Sequence, residues 1–193
     1  MKITDGSNIS VKEKLILAGI EEIEQNGVQY FSLRRVAGKC KVSCAAPYKH
    51  FDGKLGLVIA IIEYINEQWY KRQEVVVAKF QGDYRRQLTE ISLEYIRFLV
   101  GNPHFRSIVM LNFGKMDVSQ AHMKSELSCC TQNLIRKYCE QVNLSRDKEI
   151  MKTFVVRSLI YGAAIMIDNG ELENNEKNFK FISKAIEREF DLD

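Results

Sequence analysis

Apolar residues recur at helical spacing along most of this chain. Between Lys54 and about Lys79 they fall three or four residues apart, at Val58, Ile61, Ile62, Ile65, Trp69 and Val76. Similar stripes predict helices from Ser10 to Asn26, from Tyr84 to about Val100, from His104 to Phe113, from Ser119 to about Val142, from after the link Asn143–Ser145 to Asn169, and over residues 179–190. Glycine, or glycine with proline, breaks the pattern at Gly27, Gly82, Gly101 and Gly170. The pattern therefore predicts an all-α protein of about nine helices.

A different pattern lies between Ser32 and Lys54. Leu33, Val36, Ala37 and Cys40 form one face of a two-turn helix, with Ser32 placed to cap it. Lys41-Val42-Ser43 interrupts the period, and Ser43 is predicted to cap a second short helix from Cys44 to about His50. Pro47 and Phe51 would point inward. Two short helices joined by a three-residue turn are typical of a helix-turn-helix, which the helix over residues 10–26 would brace into a three-helix head.

Charge supports a nucleic-acid interpretation of this stretch. The chain of 193 residues carries a formal charge of +3. Residues 1–54 hold nine Lys or Arg against six Asp or Glu, so the rest of the chain is neutral. Between Ser32 and Lys54 alone there are six cations and one acid. Positive charge is therefore concentrated where the helix-turn-helix is predicted. The alternative is a structural hairpin with a solvated basic face.

The same residues resemble a known family. Val42-Ser43, followed by Tyr48, His50-Phe51 and Lys54, resembles the DNA-binding signature of the TetR family of bacterial transcriptional regulators. The resemblance extends back to Leu15-Ile16 and covers about residues 10–65. There are two departures: Lys41 stands where the family usually has Gly, and Pro47 stands where Leu is common. A weaker resemblance to one TetR subgroup runs from Tyr95 to Met110.

The resemblance implies a set of DNA contacts and two domains. Phosphate contacts would come from Ser32, Arg34, Tyr48, Lys49, His50 and Lys54, and Ser43, Cys44, Ala45 and Ala46 would face the groove. The small side chains suit thymine methyl groups. The expected organisation is a DNA-binding domain over residues 1–53 and a ligand-binding and dimerisation domain over residues 54–193. The implied function is a ligand-responsive regulator, most simply a repressor, that binds a palindromic operator.

Two helices near the C-terminus predict a homodimer. The run from Phe154 to Ile167 is apolar on nearly every side but holds only fourteen residues around an Arg, too few for a membrane span. The last helix carries one apolar face made of Phe179, Ile182, Ile186 and Phe190. Two such helices facing their symmetry mates would form a four-helix interface. A fully intrachain core is the alternative.

Large, adaptable side chains accumulate in the middle of the chain. They predict a mostly apolar pocket for a small effector, and the candidates are Trp69, Tyr95, Phe98, His104, Phe105, Met110, Phe113, Met123 and Phe154. Ordinary core packing is the alternative for any one of them.

Little in the sequence favours catalysis, a metal or a cofactor. Five cysteines, including the adjacent pair Cys129 and Cys130, lack metal-ligand spacing, and Glu21 and Glu22 are expected on the exposed face of the first helix. The polar segment over residues 1–10 is not a secretory signal, so a cytoplasmic, non-membrane protein is expected. The remaining alternatives are a helical enzyme and a protein-interaction module that does not bind DNA.

Overall fold

The structure is a computed structural model that describes residues 9–105 and 131–191. These residues form two compact units. Unit 1 includes residues 9–67 and 104–105, and unit 2 includes residues 68–103 and 131–191. Every regular element in these ranges is helical. The predicted all-α class is confirmed.

Unit 1 contains the N-terminal helices. Helix α1 is Val11–Asn26, a 3-10 turn covers Val28–Tyr30, α2 is Leu33–Lys39, α3 is Ala46–His50, and α4, which begins in this unit, is Gly53–Lys79. Helix α1 contacts α2, α3 and the 3-10 turn, and α2 contacts α3. The predicted three-helix head is therefore present.

The ends of α1 follow from local sequence. The Ser10 hydroxyl accepts a hydrogen bond from the Glu13 N–H at 3.1 Å, which satisfies a donor of the first turn. Gly27 stops the helix with a φ of 74°, a conformation that a side chain disfavours. Both ends agree with the prediction.

The core of unit 1 lies between α1, α2 and the start of α4. It is built from side chains that are nearly inaccessible to solvent, namely Leu15, Ile20, Ile23, Val36, Ala37, Leu57 and Ile61. At Gly19 the helices approach so closely that an added Cβ would lie 2.7 Å from Ile61 Cδ1. The missing side chain of Gly19 thus lets α1 and α4 pack closely.

Unit 2 contains the rest of α4 and four further helical segments. Helix α5 is Tyr84–Gly101, residues 131–141 form the described part of α6, α7 is Arg146–Asp168, and α8 is Glu176–Asp191. The side chains of Asp83 and Ser145 cap α5 and α7 as N-terminal acceptors. Helices α5, α7 and α8 pack against one another around Phe98, Leu99, Ala164 and Ile186.

The two C-terminal helices differ from the prediction. On α8, Phe179, Ile182 and Ile186 are buried within the chain, so its apolar face is part of the core of unit 2 and is not free to meet a partner. Phe190 is half-buried and lies edge-on to Tyr138, with ring centroids 5.1 Å apart. Periodicity identifies a buried face but not the chain that buries it.

Helix α7 is only half covered. Ile160, Ala163, Ala164 and Ile167 are buried, whereas Phe154 is 70% exposed. By length and composition α7 is the one helix in the described ranges that is apolar enough to cross a membrane, with a mean hydropathy of 1.6 over its most apolar window. The apolar run of fourteen residues is only part of this helix, which has 23 residues, so helix length does not exclude a membrane span. The exposed side of α7 is an apolar surface without a partner in the described part of the chain.

Candidate nucleic-acid interface

The turn between α2 and α3 is held by two backbone hydrogen bonds. The Lys41 N–H donates to Gly38 O, and the Val42 N–H donates to Ala37 O, both at 3.1 Å. These are the bonds of a Schellman motif, which requires a left-handed residue after the helix. Lys41 supplies it with a φ of 55°. The left-handed residue is thus the one that stands where the sequence resemblance expects Gly.

Helix α3 begins later than predicted. It starts at Ala46 and not at Cys44, and no side chain caps it, so the predicted cap by Ser43 is wrong. Instead the Ser43 carbonyl accepts the Ala46 N–H at 2.9 Å. Pro47 occupies the start of the helix, where its missing N–H leaves one donor fewer to satisfy. At this position Pro47 gives the helix no reason to bend.

Helix α3 is anchored on one side and exposed on the other. Pro47 and Phe51 are buried, and Val42 is half-buried at the turn. The other side chains of this segment are accessible: Ser43, Cys44, Ala45, Tyr48, Lys49 and His50 are exposed, and Ala46 is half-buried. The structure thus gathers the predicted α3 contacts on one accessible segment.

The three remaining predicted contacts lie on neighbouring elements. Arg34 is exposed on α2. The hydroxyl of Ser32 accepts the Arg35 N–H at 3.5 Å and so acts as the cap of α2. Lys54 is exposed, and its ammonium lies 3.5 Å from Gln29 O and 5.9 Å from the ring centroid of Phe31. Its position is therefore partly fixed before any DNA contact.

One residue of the head was misplaced by the sequence analysis. Glu22 is completely buried, not exposed. Its Oε1 accepts from Arg35 Nε at 2.6 Å, and its Oε2 lies 3.6 Å from Lys39 Nζ. The helical period indicates that Glu22 is buried, because it follows the buried residues Leu15 and Gly19 at spacings of seven and three.

Unit 2 brings together three of the predicted effector residues. The ring centroid of Trp69 lies 4.6 Å from that of Tyr95 and 5.4 Å from that of Phe98. Trp69 and Phe98 are nearly inaccessible, at 3% and 1%. Tyr95 also hydrogen bonds to Tyr161 of α7, which the sequence analysis did not single out. Burial and the neighbouring Tyr161 raise the pKa of Tyr95, so its hydroxyl stays protonated and can donate.

Three other effector candidates lie outside this aromatic cluster. His104 Nδ1 contacts Glu24 Oε2 of α1, and Phe105 meets Tyr64 edge to face at 6.3 Å, both within unit 1. Phe154 is 70% exposed and so lies outside the packed interior of unit 2. Met110, Phe113 and Met123 lie outside the described residues.

Groups suited to other chemistry are sparse in the part of the chain that the structure describes. It contains no group of three His, Cys, Asp or Glu side chains that could hold a metal ion. Cys40, Cys44 and Cys139 are free thiols, and burial raises the pKa of Cys40 and of Cys139. Cys129 and Cys130 lie outside the described residues.

Comparison with known proteins relates this geometry to transcription regulators. No protein-family model matches the chain. Over 84 residues, or 40% of the chain, it is 32% identical to the uncharacterized HTH-type transcriptional regulator YuxN of Bacillus subtilis (strain 168). The match spans 28% of the length of YuxN.

Solved structures match over nearly the whole chain. A TetR family transcription regulator from Marinobacter aquaeolei VT8 aligns with a TM-score of 0.74 and 19% identity, covering 92% of this chain and 94% of that one. The transcriptional regulator FadR from Bacillus subtilis, in complex with stearoyl-CoA, aligns with a TM-score of 0.69 and 14% identity, covering 91% and 95%. The chain therefore has the fold of TetR-family regulators, and the predicted helix-turn-helix head on a helical bundle is confirmed.

Proposed function

We propose that this chain is a cytoplasmic, homodimeric transcriptional repressor, without enzymatic activity or a cofactor. In this proposal two heads bind the half-sites of a palindromic operator. A small, mostly apolar effector in unit 2 then favours a state in which the heads no longer fit successive major grooves, which lie about 34–36 Å apart.

The accessible segment around α3 carries the proposal. Its first residues, Ser43, Cys44 and Ala45, are small and exposed, so the backbone can approach base edges in the major groove. Behind them Tyr48 and Lys49 present a hydroxyl and an ammonium that can donate to phosphate. The fold shared with the regulator from Marinobacter aquaeolei supports the same assignment.

The exposed side of α7 supports the homodimer. Met151, Phe154, Ile165 and Met166 are between 42% and 70% exposed, and Phe181 of α8 is 68% exposed. Water contact with this much apolar surface is unfavourable, and such patches commonly mark interfaces. A second copy presents the same surface, so a two-fold contact would cover both. We propose this occupant rather than a membrane, since Lys152 and Arg157 lie within the helix.

The aromatic cluster in unit 2 supports the effector proposal. Trp69 and Phe98 contribute buried apolar rings, and the protonated hydroxyl of Tyr95 contributes one polar group beside Tyr161. This composition suits a mostly hydrophobic molecule with one or two polar groups. FadR from Bacillus subtilis was crystallised with stearoyl-CoA, whose stearoyl chain is hydrophobic while its coenzyme A part is polar and anionic. Stearoyl-CoA is therefore the first probe, and coenzyme A is its matched control.

Duplex DNA binding at several salt concentrations tests the proposed function. Fragments selected from the source genome supply the operator, and fluorescence anisotropy supplies the affinity. A regulator that neutralises several phosphates loses affinity steeply as salt rises, whereas a protein-interaction module shows no such binding. Lys49→Ala should weaken binding to all sequences and reduce the log–log salt slope by about one. Lys180→Ala, an exposed lysine of α8, is the control and should leave the slope unchanged.

Effector control has a separate test. Stearoyl-CoA should raise the melting temperature and lower operator affinity together, because a ligand that binds one state preferentially does both. Coenzyme A should do neither. A rise in melting temperature without a loss of operator affinity would contradict effector control while leaving DNA binding intact.

A further inference from the structure

We infer that Glu22 is a positioning residue of the head and that it withholds Arg35 and Lys39 from DNA phosphates. The inference rests on the proposed DNA-binding function. It assigns opposite roles to cations of one short helix, because Arg34 and Arg35 are both exposed but Arg35 is paired with Glu22.

Glu22 and its two partners connect α1 to both turns of α2. Arg35 and Lys39 are four residues apart and so lie on one face of α2. Arg35 Nε donates to Glu22 Oε1 at 2.6 Å, and Lys39 Nζ lies 3.6 Å from Glu22 Oε2. Glu22 is 0% exposed, so its charge interacts with these cations with little screening by water.

Each cation is also held by a second group on the α1 side. Arg35 Nη2 donates to the carbonyl of Tyr30 in the 3-10 turn, and Lys39 Nζ donates to Gln25 Oε1 at 2.8 Å. The carboxylate and the carbonyl engage Nε and Nη2 of the Arg35 guanidinium, so the other donors of this side chain are those of Nη1. Glu22 thereby fixes α2 against α1, and α2 leads directly into the turn before α3.

Loss of either cation to DNA would leave Glu22 underpaired. Within the described residues, Glu22 Oε2 is buried and makes no hydrogen bond, so Lys39 is its nearest compensating charge. A buried carboxylate without a partner is strongly unfavourable. Arg35 and Lys39 therefore remain with Glu22 when the head binds. Of the six cations between Ser32 and Lys54, these two contribute nothing to counterion release.

The test is the salt slope of binding to a random-sequence duplex of about 30 base pairs. Arg34→Met should reduce the slope by about 0.9, the value for one phosphate contact. Lys39→Met and Arg35→Met should leave it unchanged. Glu22→Gln keeps an acceptor for Arg35 but removes the charge, so it should steepen the slope by about one. Glu22→Gln combined with Lys39→Met should restore the wild-type slope.

The outcomes separate this inference from the proposed function. If Lys39→Met reduced the salt slope by about 0.9, as much as Arg34→Met does, the inference would be overturned while DNA binding remained established. An unchanged slope in folded Glu22→Gln would also overturn it. If circular dichroism shows that Glu22→Gln is unfolded, the comparison of Lys39→Met with Arg34→Met decides alone. A wild-type chain that binds DNA without salt dependence would refute the proposed function and the withholding together.

Discussion

Lys152 donates from its buried ammonium to the carbonyl oxygen of Glu189 at 2.7 Å. Two other side chains donate to the same helix end, Arg85 to Glu187 O at 3.3 Å and Tyr138 to Phe190 O at 3.2 Å. The last carbonyls of a helix lack intrahelical partners and carry partial negative charge. Side chains of α5, α6 and α7 thus satisfy the C-terminal turn of α8 and hold it in unit 2.

Lys152→Met should destabilise the chain by about 2 kcal/mol, because it removes a charged donor and leaves the part-buried Glu189 O without that hydrogen bond. Urea unfolding at a constant m-value measures the change. Lys148→Met, an exposed lysine on the same helix, should stay within about 0.5 kcal/mol of the wild type. Equal effects of the two variants would mean that the bond to Glu189 contributes little.

Phe154→Gln should weaken the proposed dimer without unfolding the chain, since Phe154 is 70% exposed in the single copy. Burying one Phe side chain is worth about 2 kcal/mol, and a two-fold interface loses two of them. The dimer dissociation constant should therefore rise at least about tenfold in sedimentation equilibrium. Val75→Gln, which alters a residue 68% exposed on α4, is the control for general surface effects.

Ala163→Glu, the substitution that the apolar pattern of α7 first suggests, is a poor probe of the dimer. Ala163 is 8% exposed in the single chain, and its neighbour Ala164 is fully buried. The glutamate would disrupt intrachain packing whether or not a dimer forms. An unchanged dimer in Phe154→Gln would instead exclude the exposed side of α7 as the interface.

Lys41→Gly should stabilise the head by about 1 kcal/mol, because glycine adopts the φ of 55° at this turn without steric cost. Lys41→Ala removes the same charge but keeps the strained conformation, so it should not stabilise. Thermal unfolding of the two variants at equal ionic strength separates backbone strain from charge. If both variants gained stability equally, the gain would come from charge and not from the turn.

Cys44 should be alkylated by iodoacetamide at pH 8 faster than Cys40. Cys44 is exposed, whereas burial raises the pKa of Cys40 and so lowers its reactive thiolate fraction, and its Sγ donates to Lys14 O at 3.3 Å. Operator DNA should slow the labelling of Cys44 but not of Cys139 in unit 2, as read by peptide mass spectrometry. Equal labelling of Cys44 with and without bound DNA would place it outside the groove.

Helix ends were predictable where one residue and its neighbours decide them. Ser10, Asp83 and Ser145 each accept a hydrogen bond from the N–H three residues later, so sequence alone marks the start of the helix. Gly27 shows the same for an end with positive φ, because glycine adopts that conformation easily. At Lys41 the local sequence does not mark the positive φ, and only the resemblance, which places Gly there, indicates it.

The misplaced residues depend on partners distant in the chain. Glu22 is buried because Arg35, thirteen residues away, compensates its charge. His104 pairs with Glu24 across 80 residues, which no local pattern reports. Periodicity indicates which side of a helix is apolar. The placement of these residues depends instead on the side chains that the fold brings next to them.

The packing of Trp69 gives the protein an internal optical reporter. It is the chain's single tryptophan, 3% exposed and in contact with the rings of Tyr95 and Phe98. Tryptophan fluorescence therefore comes from unit 2 alone, because unit 1 contains no tryptophan. A molecule that enters the aromatic cluster would shift this emission, whereas a molecule that binds only at the head would leave it unchanged. One spectrum can thus assign a newly found ligand to the bundle or to the head without any label.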